Sequence, residues 1–329
     1  MILITGGAGY IGSHTTLNFL NNGYDVVVFD SLENGHIETI KTLQKFGKLQ
    51  FVQGNLNNIE NLENLFKNYQ IDTVIHFAGF IQVEESVKNP SKYYTNNITG
   101  TLNLLDTMVK YGVKRIVFSS SAAVYGEPLY TPIDEKHPKS PLNAYGKTKA
   151  MTEEILDDYD RAYGLKSICL RYFNVAGADF DIRIGEWHEP ETHLIPNILK
   201  SIFEEGKVFK IFGNDYDTAD GTCIRDYVNV EDLAEAHRLA YQYLKENNKS
   251  DRFNLGTEQG NSVKEVFATV EAVTGKSISV KTEPRRDGDA AILLANAEKA
   301  KSVLGWKPTR TLEDSIKTAY LWEKSRHSK

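Results

Sequence analysis

Six runs of nearly continuous apolar residues mark the first half of the chain: MILIT (1–5), DVVVF (25–29), LQFVQ (49–53), DTVIHF (72–77), RIVFSS (115–120) and SICLRYF (167–173). A strand with one wet face alternates apolar and polar side chains. These runs do not, which predicts strands buried on both faces. Between them, near 10–22, 59–69, 91–112 and 143–163, apolar residues recur at helical spacing. Strand and helix in alternation imply right-handed crossovers and a parallel sheet with helices on both faces, a doubly wound α/β architecture of Rossmann type.

After Gly177 the rhythm changes. A polar loop, ADFDIRIGEWHEPET, leads to a helix near 192–205, a strand at 209–213, an Asp- and Gly-rich loop and a helix over about 231–247. A short strand at 253–256 precedes Ser262 and Glu265, whose spacing is that of a capping box opening a helix to about 274. Two terminal helices close the chain. Residues 1–177 thus read as one domain and 178–329 as a smaller mixed α/β lobe, interleaved with the first because no Pro- or Ser-rich linker separates them.

Composition narrows the partners. The 329 residues are 41% hydrophobic and 25% charged, the balance of a globular protein rather than a disordered one. With 38 basic and 44 acidic residues the net charge is −6, and no block of like charge gives a footprint for nucleic acid or an anionic membrane. No apolar run approaches the roughly 20 residues of a bilayer span. The N-terminus is already a strand and a glycine loop where a secretory leader would need a basic segment and a longer apolar one. Cys169 and Cys223 form no disulfide framework or metal-type pair. A cytoplasmic protein with a small partner is expected.

Gly6, Gly9 and Gly12 follow the first strand and open the first helix. Such a loop makes a tight turn, lets a pyrophosphate approach the backbone and aims helix N–H groups at it. The next strand ends at Asp30, eighteen residues after Gly12, where a carboxylate binds an adenosine ribose and repels a 2′-phosphate. This favours NAD over NADP. Tyr145 and Lys149 are four apart at the start of a predicted helix and share a face. Ser119, Ser120 and Ser121 stand at the carboxyl end of a strand, the edge where open parallel sheets bind ligands. A tyrosine titrates near pH ~10, so service as a base near neutrality needs a shift of about three units, supplied by the lysine and a bound nicotinium.

TGGAGYIGSHT, DTVIHFAG, YYTNNITGTLNLL, FSSSAAVYG, AYGKTK, LRYFNVAGA, IFGNDYDTADGT, IRDYVNVEDLA and PRRDGD fall in order along nearly the whole chain. In them the chain resembles the extended short-chain dehydrogenase/reductase family and, within it, the UDP-glucose 4-epimerases. The resemblance implies NAD, tightly bound and recycled in each turnover. Gly6, Gly9 and Gly12 would form its pyrophosphate loop, and its adenosine half would lie on Tyr10, Ile11, Asp30, Ser31, Leu32, Glu33, Asn34 and Gly35, with Asn55 and Leu56 beside the adenine. Phe77, Ala78, Gly79, Phe80, Ile81, Asn96, Ser121, Tyr145, Lys149 and Phe173 would hold the rest. The implied activity is inversion at C4 of UDP-hexoses, in galactose and surface-glycan precursor metabolism. Tyr145 takes the 4-hydroxyl proton, Ser121 hydrogen-bonds that oxygen, and a hydride passes to the nicotinamide, giving a 4-keto sugar that turns over in the pocket.

For the UDP-sugar the resemblance implies Ser121, Tyr145, Asn174, His193, Leu194, Phe212, Arg225, Arg286, Asp289 and Leu293, and for the assembly a homodimer. Arg225 and Arg286 suit the pyrophosphate and Asp289 the ribose hydroxyls. Four positions depart from the family pattern. Asn55 stands for an aspartate, Ile81 for a lysine and His193 for an asparagine. Leu293 stands for a tyrosine beside the sugar C2, which implies room for N-acetylated UDP-hexosamines. A nucleotide-sugar 4,6-dehydratase would place an acid pair where Ala122 and Ala123 stand, and the intact Ser121, Tyr145 and Lys149 argue against a non-catalytic NAD-sensing protein of this fold. No metal is expected: His188 and His193 share a loop with Glu186, Glu189 and Glu191 without a helical HExxH register, and all five read as solvated.

Overall fold

The apolar runs become β1 (Ile2–Thr5), β2 (Val26–Asp30), β3 (Leu49–Gln53), β4 (Thr73–His76), β5 (Arg115–Ser119) and β6 (Lys166–Tyr172) of a computed structural model that describes residues 1–204, 208–285 and 290–327. Seven further strands follow: β7 (Asn174–Ala176), β8 (Phe209–Phe212), β9 (Ile224–Asn229), β10 (Asp251–Leu255), β11 (Gly260–Ser262), β12 (Val280–Glu283) and β13 (Ile292–Leu293). The main sheet runs β10-β6-β5-β4-β1-β2-β3 with every neighbouring pair parallel. Strand order reverses between β1 and β4, which opens a crevice at their carboxyl ends. β9 carries β7, β11 and β13, and β8 pairs with β12.

Three elements differ from their sequence reading. Only Leu49 of β3 is fully buried: this strand is the sheet edge, Gln50 and Gln53 reach water, and Phe51 and Val52 are half-buried. The segment expected as one helix near 91–112 is helical at Pro90–Tyr93, π-helical over Tyr94–Thr99 and helical again over Gly100–Lys110. The first of the two terminal helices is a single π turn, Ala300–Leu304, and the second is Leu312–His327.

The chain crosses back after Gly177. β10 is the seventh strand of the main sheet, and the helix Val230–Asn247 packs on Tyr10–Asn21 through the rings of Phe19, Tyr24 and Tyr241, whose centroids lie 5.3, 5.6 and 5.5 Å apart. A separate hydrophobic cluster of Ile195, Ile198, Leu199, Ile211, Val266 and Val270 forms among the elements that follow Gly177. Its helix Val263–Thr274 starts on the predicted capping box. The Ser262 Oγ accepts from the Glu265 N–H at 3.1 Å, and the Glu265 carboxylate accepts from the Ser262 N–H at 2.7 Å.

One charged pair lies under the crevice. Glu153 and Arg171 are almost wholly buried and paired fork to fork, at 2.8 and 2.5 Å. Ser120 donates to Glu153 at 2.7 Å, Arg171 donates to the Tyr125 hydroxyl at 2.8 Å, and Tyr125 donates to Asn254 at 2.6 Å. Burial would raise the Glu153 pKa, but the Arg171 and Ser120 bonds outweigh it and hold the carboxyl below its ordinary value. Buried charge is tolerated only when satisfied in this way. The network ties the helix Ala144–Tyr163, β5 and β6 into one rigid block.

Candidate active site

At the crevice the chain between β1 and the helix Tyr10–Asn21 turns on Gly6, whose φ of +72° is a left-handed conformation that L side chains rarely adopt. A Cβ on Gly12 would stand 2.2 Å from the Gly6 carbonyl oxygen, so the loop closes only without one. A Cβ on Gly9 meets nothing nearer than that oxygen at 3.4 Å, which leaves the backbone open to a ligand. Asp30 ends β2 with one carboxylate oxygen accepting from the Ala8 N–H (2.9 Å) and the other from the Leu32 N–H (2.8 Å). Burial raises its pKa against these two bonds. An open glycine backbone at a helix N-terminus, facing a fixed carboxylate, fits the pyrophosphate and ribose of a dinucleotide.

The glycine loop forms one end of a cavity of about 700 Å³. Tyr145, Lys149 and Ser121 line the same cavity. Asn143 caps the helix Ala144–Tyr163 by accepting from the Gly146 N–H at 2.9 Å, and the helix then presents Tyr145 and Lys149 one turn apart. Lys149 is buried; its ammonium donates to the Ser119 carbonyl oxygen at 2.7 Å and lies 4.9 Å from the centroid of the Phe118 ring. Burial pulls its pKa down to about 8. Burial pushes Tyr145 above its ordinary value, and a hydrogen bond with Ser121 works against that. The lysine is therefore anchored to β5, with its ammonium 5.8 Å from the centroid of the tyrosine ring.

Of the three strand-end serines, the hydroxyl of Ser119 pairs with that of Tyr172 and that of Ser120 with Glu153. Ser121 lines the cavity, its oxygen accepting from the Ala123 N–H at 3.1 Å.

Asn97, which sequence reading passed over beside Asn96, clamps the loop after β4. Its side chain accepts from the Phe80 N–H at 2.8 Å and donates to the Phe80 carbonyl oxygen at 3.0 Å and to Thr148 at 3.2 Å. The π turn puts Asn97 there, a use that such turns often have. Where Ile81 replaces a lysine, the cavity wall carries Lys92 instead, ion-paired with Glu85 at 2.8 Å and 4.1 Å from the Phe80 ring centroid.

The loop after Gly177 contributes Glu186, His188 and His193 to the cavity wall and is only partly solvated. Tyr10 donates to the Gly177 carbonyl oxygen at 2.6 Å, and its ring meets His14 and His188 edge-on. Trp187 stacks on His36 with centroids 3.6 Å apart, under the guanidinium of Arg326 at 4.4 Å. The side chains of Glu186, Glu191 and His188 are only 6%, 3% and 16% exposed, which corrects the expectation of solvated groups for these three; Glu189 and His193, at 71% and 45%, are exposed as expected. Burial depresses the His188 and His193 pKa values, but the Glu186 and Glu191 carboxylates outweigh it and raise them to about 9 and about 10.

Most of the predicted residues face this one cavity. Gly6, Gly9, Tyr10, Ile11, Gly12, Asp30, Ser31, Glu33, Asn34 and Gly35 line it, as do Asn55, Leu56 and Phe77 to Ile81. Asn96, Phe173, Asn174, His193, Leu194 and Leu293 complete the wall. Three others are not part of the lining formed by the described residues. Leu32, with a φ of +62°, packs against the hydrophobic core instead. Phe212 ends β8, in the smaller lobe. Arg225 lies in β9, where its guanidinium donates to the carbonyl oxygens of Ile224 and Ala290 at 3.0 and 2.8 Å. Arg286 and Asp289 lie outside the described residues.

A family model described as GDP-mannose 4,6 dehydratase matches residues 3–319. The chain is 49% identical over 325 residues to a UDP-glucose 4-epimerase of Lactobacillus helveticus, covering 98% of this chain and 97% of the relative. The solved UDP-glucose 4-epimerase from Bifidobacterium longum in complex with NAD+ and UDP is similar with a TM-score of 0.94 at 39% identity, over 99% of this chain and 98% of that one. The UDP-Glc/GlcNAc 4-epimerase from Campylobacter jejuni is similar with a TM-score of 0.87 at 42% identity, over 98% of this chain and 99% of that one.

Proposed function

We infer, for a chain that belongs to the UDP-glucose 4-epimerase family, that this cavity inverts C4 of UDP-hexoses with NAD as a hydride carrier recycled in every turnover. The observation that carries the reading is Ser121, Tyr145 and Lys149 on the wall of a cavity that also contains the glycine loop and Asp30. Bound there, NAD would supply the acceptor for the sugar C4 hydride and the donor that restores it on the opposite face. Tyr145 accepts the 4-hydroxyl proton as the carbonyl forms and returns it as the alcohol is rebuilt. Ser121 hydrogen-bonds the same oxygen and orients it. Lys149 supplies a fixed positive charge that favours the tyrosinate, and the Ser119 carbonyl holds that charge in place. The glycine loop and Asp30 position the dinucleotide. Ala122 and Ala123 carry only methyl groups, so the acid chemistry that eliminates water in a 4,6-dehydratase has no residue here.

The test is incubation with UDP-galactose without added NAD, followed by separation of the sugar epimers. UDP-glucose is the expected product. No interconversion, or full activity in Tyr145→Phe, would refute the assignment.

Three finer readings belong to the same proposal. Leu293 lines the cavity where a tyrosine commonly crowds the sugar C2, which supports turnover of UDP-N-acetylglucosamine, and a relative is named for both sugars. Rejection of that substrate overturns this part. The helices Val83–Lys88 and Ala144–Tyr163 leave Val87 and Met151 65% and 40% exposed, a face suited to homodimer formation. Leu105, by contrast, is spent in the chain's own core. A monomeric mass in solution excludes the dimer. A cytoplasmic location fits a nucleotide-linked substrate and is checked by cell fractionation.

A further inference from the structure

Glu186, His188 and His193, on the cavity wall, converge with Glu191 within the loop that enters the helix Leu194–Phe203. Their donor atoms all lie within 4.8 Å of one another. Glu186 stands 3.2 Å from the Nδ1 of His188 and 2.6 Å from the Nδ1 of His193, and Glu191 stands 3.6 and 3.3 Å from the same two atoms. Ligands about 2.0–2.2 Å from a tetrahedral ion are roughly 3.4 Å apart; the four carboxylate–imidazole separations lie near that edge, those of Glu191 running to its two different oxygens, and one donor atom from each residue lies within 4.8 Å of the other three.

We propose that this cluster is a structural site for a divalent transition-metal cation, Zn²⁺ by its donor set. Two imidazole nitrogens and two carboxylate oxygens suit zinc, and the two carboxylates cancel its charge, which makes burial of the ion affordable.

The surroundings orient the ligands, as they do in metal sites. Trp322 donates to the Glu186 carbonyl oxygen at 2.9 Å, and Asn197 donates to the Glu191 carbonyl oxygen at 3.2 Å. The N–H groups of Thr192 and His193 donate to the Glu191 carboxylate at 2.8 and 2.9 Å. With four side chains filling the tetrahedron, no position is left open for water or substrate, so the ion staples the loop rather than joining the chemistry. It pins the loop where His188 meets the ring of Tyr10, on the wall of the dinucleotide end.

The experiment reads bound metal and is independent of sugar turnover. Untagged full-length holoenzyme is dialysed against micromolar Zn²⁺, freed of loose ions by gel filtration and assayed by elemental mass spectrometry, with Glu186→Gln and His188→Ala in parallel. About one zinc per chain is expected in the parent and less than about a fifth of that in each variant. Co²⁺ in place of zinc is expected to give the visible spectrum of a tetrahedral ion, and chelation to lower the parent's unfolding temperature until zinc is restored. Less than about a tenth of an equivalent in the parent, or undiminished zinc in the variants, overturns the proposal. Should a variant fail to fold, the cobalt spectrum of the parent decides: the absence of a tetrahedral band overturns the site.

Discussion

Lys149 is the residue at which function and stability pull hardest against each other. Its ammonium is buried beside the Phe118 ring and donates to the Ser119 carbonyl oxygen. Burial brings its pKa from the ordinary 10.5 to about 8. At 1.36 kcal/mol per unit, holding this charge in the folded chain costs about 3 kcal/mol relative to the unfolded one. The folded pKa lies below the unfolded pKa. Under pH 8 both states are protonated and the cost is constant; from about pH 8 to 10.5 the unfolded chain binds the extra proton, and the folded state gains stability as pH rises. Lys149→Met removes the titrating group. In NAD-free protein, urea unfolding of parent and variant is measured from pH 7 to 10.5. The parent's stability relative to the variant is expected to rise by about 3 kcal/mol across that window, other titrations cancelling in the difference. The same variant is expected to lose at least about a hundredfold in epimerase turnover, because the charge that favours the tyrosinate is gone. A flat difference profile refutes the cost of burial, and retained turnover refutes the role.

Tyr145→Phe keeps the ring and removes the proton carrier; turnover at saturating UDP-galactose is expected to fall by about 10²–10⁴, with substrate affinity nearly unchanged. Glu153→Gln strands the buried Arg171 charge and is expected to cost about 3–5 kcal/mol in unfolding free energy. Because Ser120, the neighbour of Ser121, hydrogen-bonds Glu153, kcat should fall more than KM rises. The double variant Glu153→Leu/Arg171→Met should recover most of the lost stability, and a loss under about 1 kcal/mol in the single variant would show the pair to be dispensable. Leu293→Tyr is expected to lower turnover of UDP-N-acetylglucosamine relative to UDP-glucose by at least about tenfold, the range that added bulk in a pocket commands; an unchanged ratio removes Leu293 from sugar selection.

Residues whose role is local could be read before any coordinates. A strand buried on both faces appears as an unbroken apolar run, and β1, β2, β4, β5 and β6 follow from that alone. The glycine loop and the Tyr145–Lys149 pair are legible for the same reason, since a turn and one helical turn fix their geometry within a few residues. What escaped depends on partners far along the chain. LQFVQ forms the edge strand only because no described strand pairs beyond it, and β10 joins the main sheet although seventy-eight positions separate Leu255 from Gly177. The π turn that turns Asn97 onto Phe80 has no compositional mark.

The acids and histidines between Glu186 and His193 are the sharpest case. At spacings of two, three and two residues they share no helical or strand face, and periodicity alone makes them a wet loop. A buried carboxylate must find a positive or hydrogen-bonding partner, yet no periodic rule predicts that a loop will fold its own histidines onto its own glutamates. Ser120, Glu153, Arg171, Tyr125 and Asn254 make the same point under the catalytic helix, because each residue is unremarkable until the others surround it. The first cluster borders the cavity through Glu186, His188 and His193; the second adjoins it through Ser120, which stands between the lining residues Ser119 and Ser121, and through Glu153, one helical turn beyond Lys149. Packing that fixes reactive side chains against solvent forces nearby polar groups to satisfy one another, so the features hardest to read from sequence gather where the chemistry is.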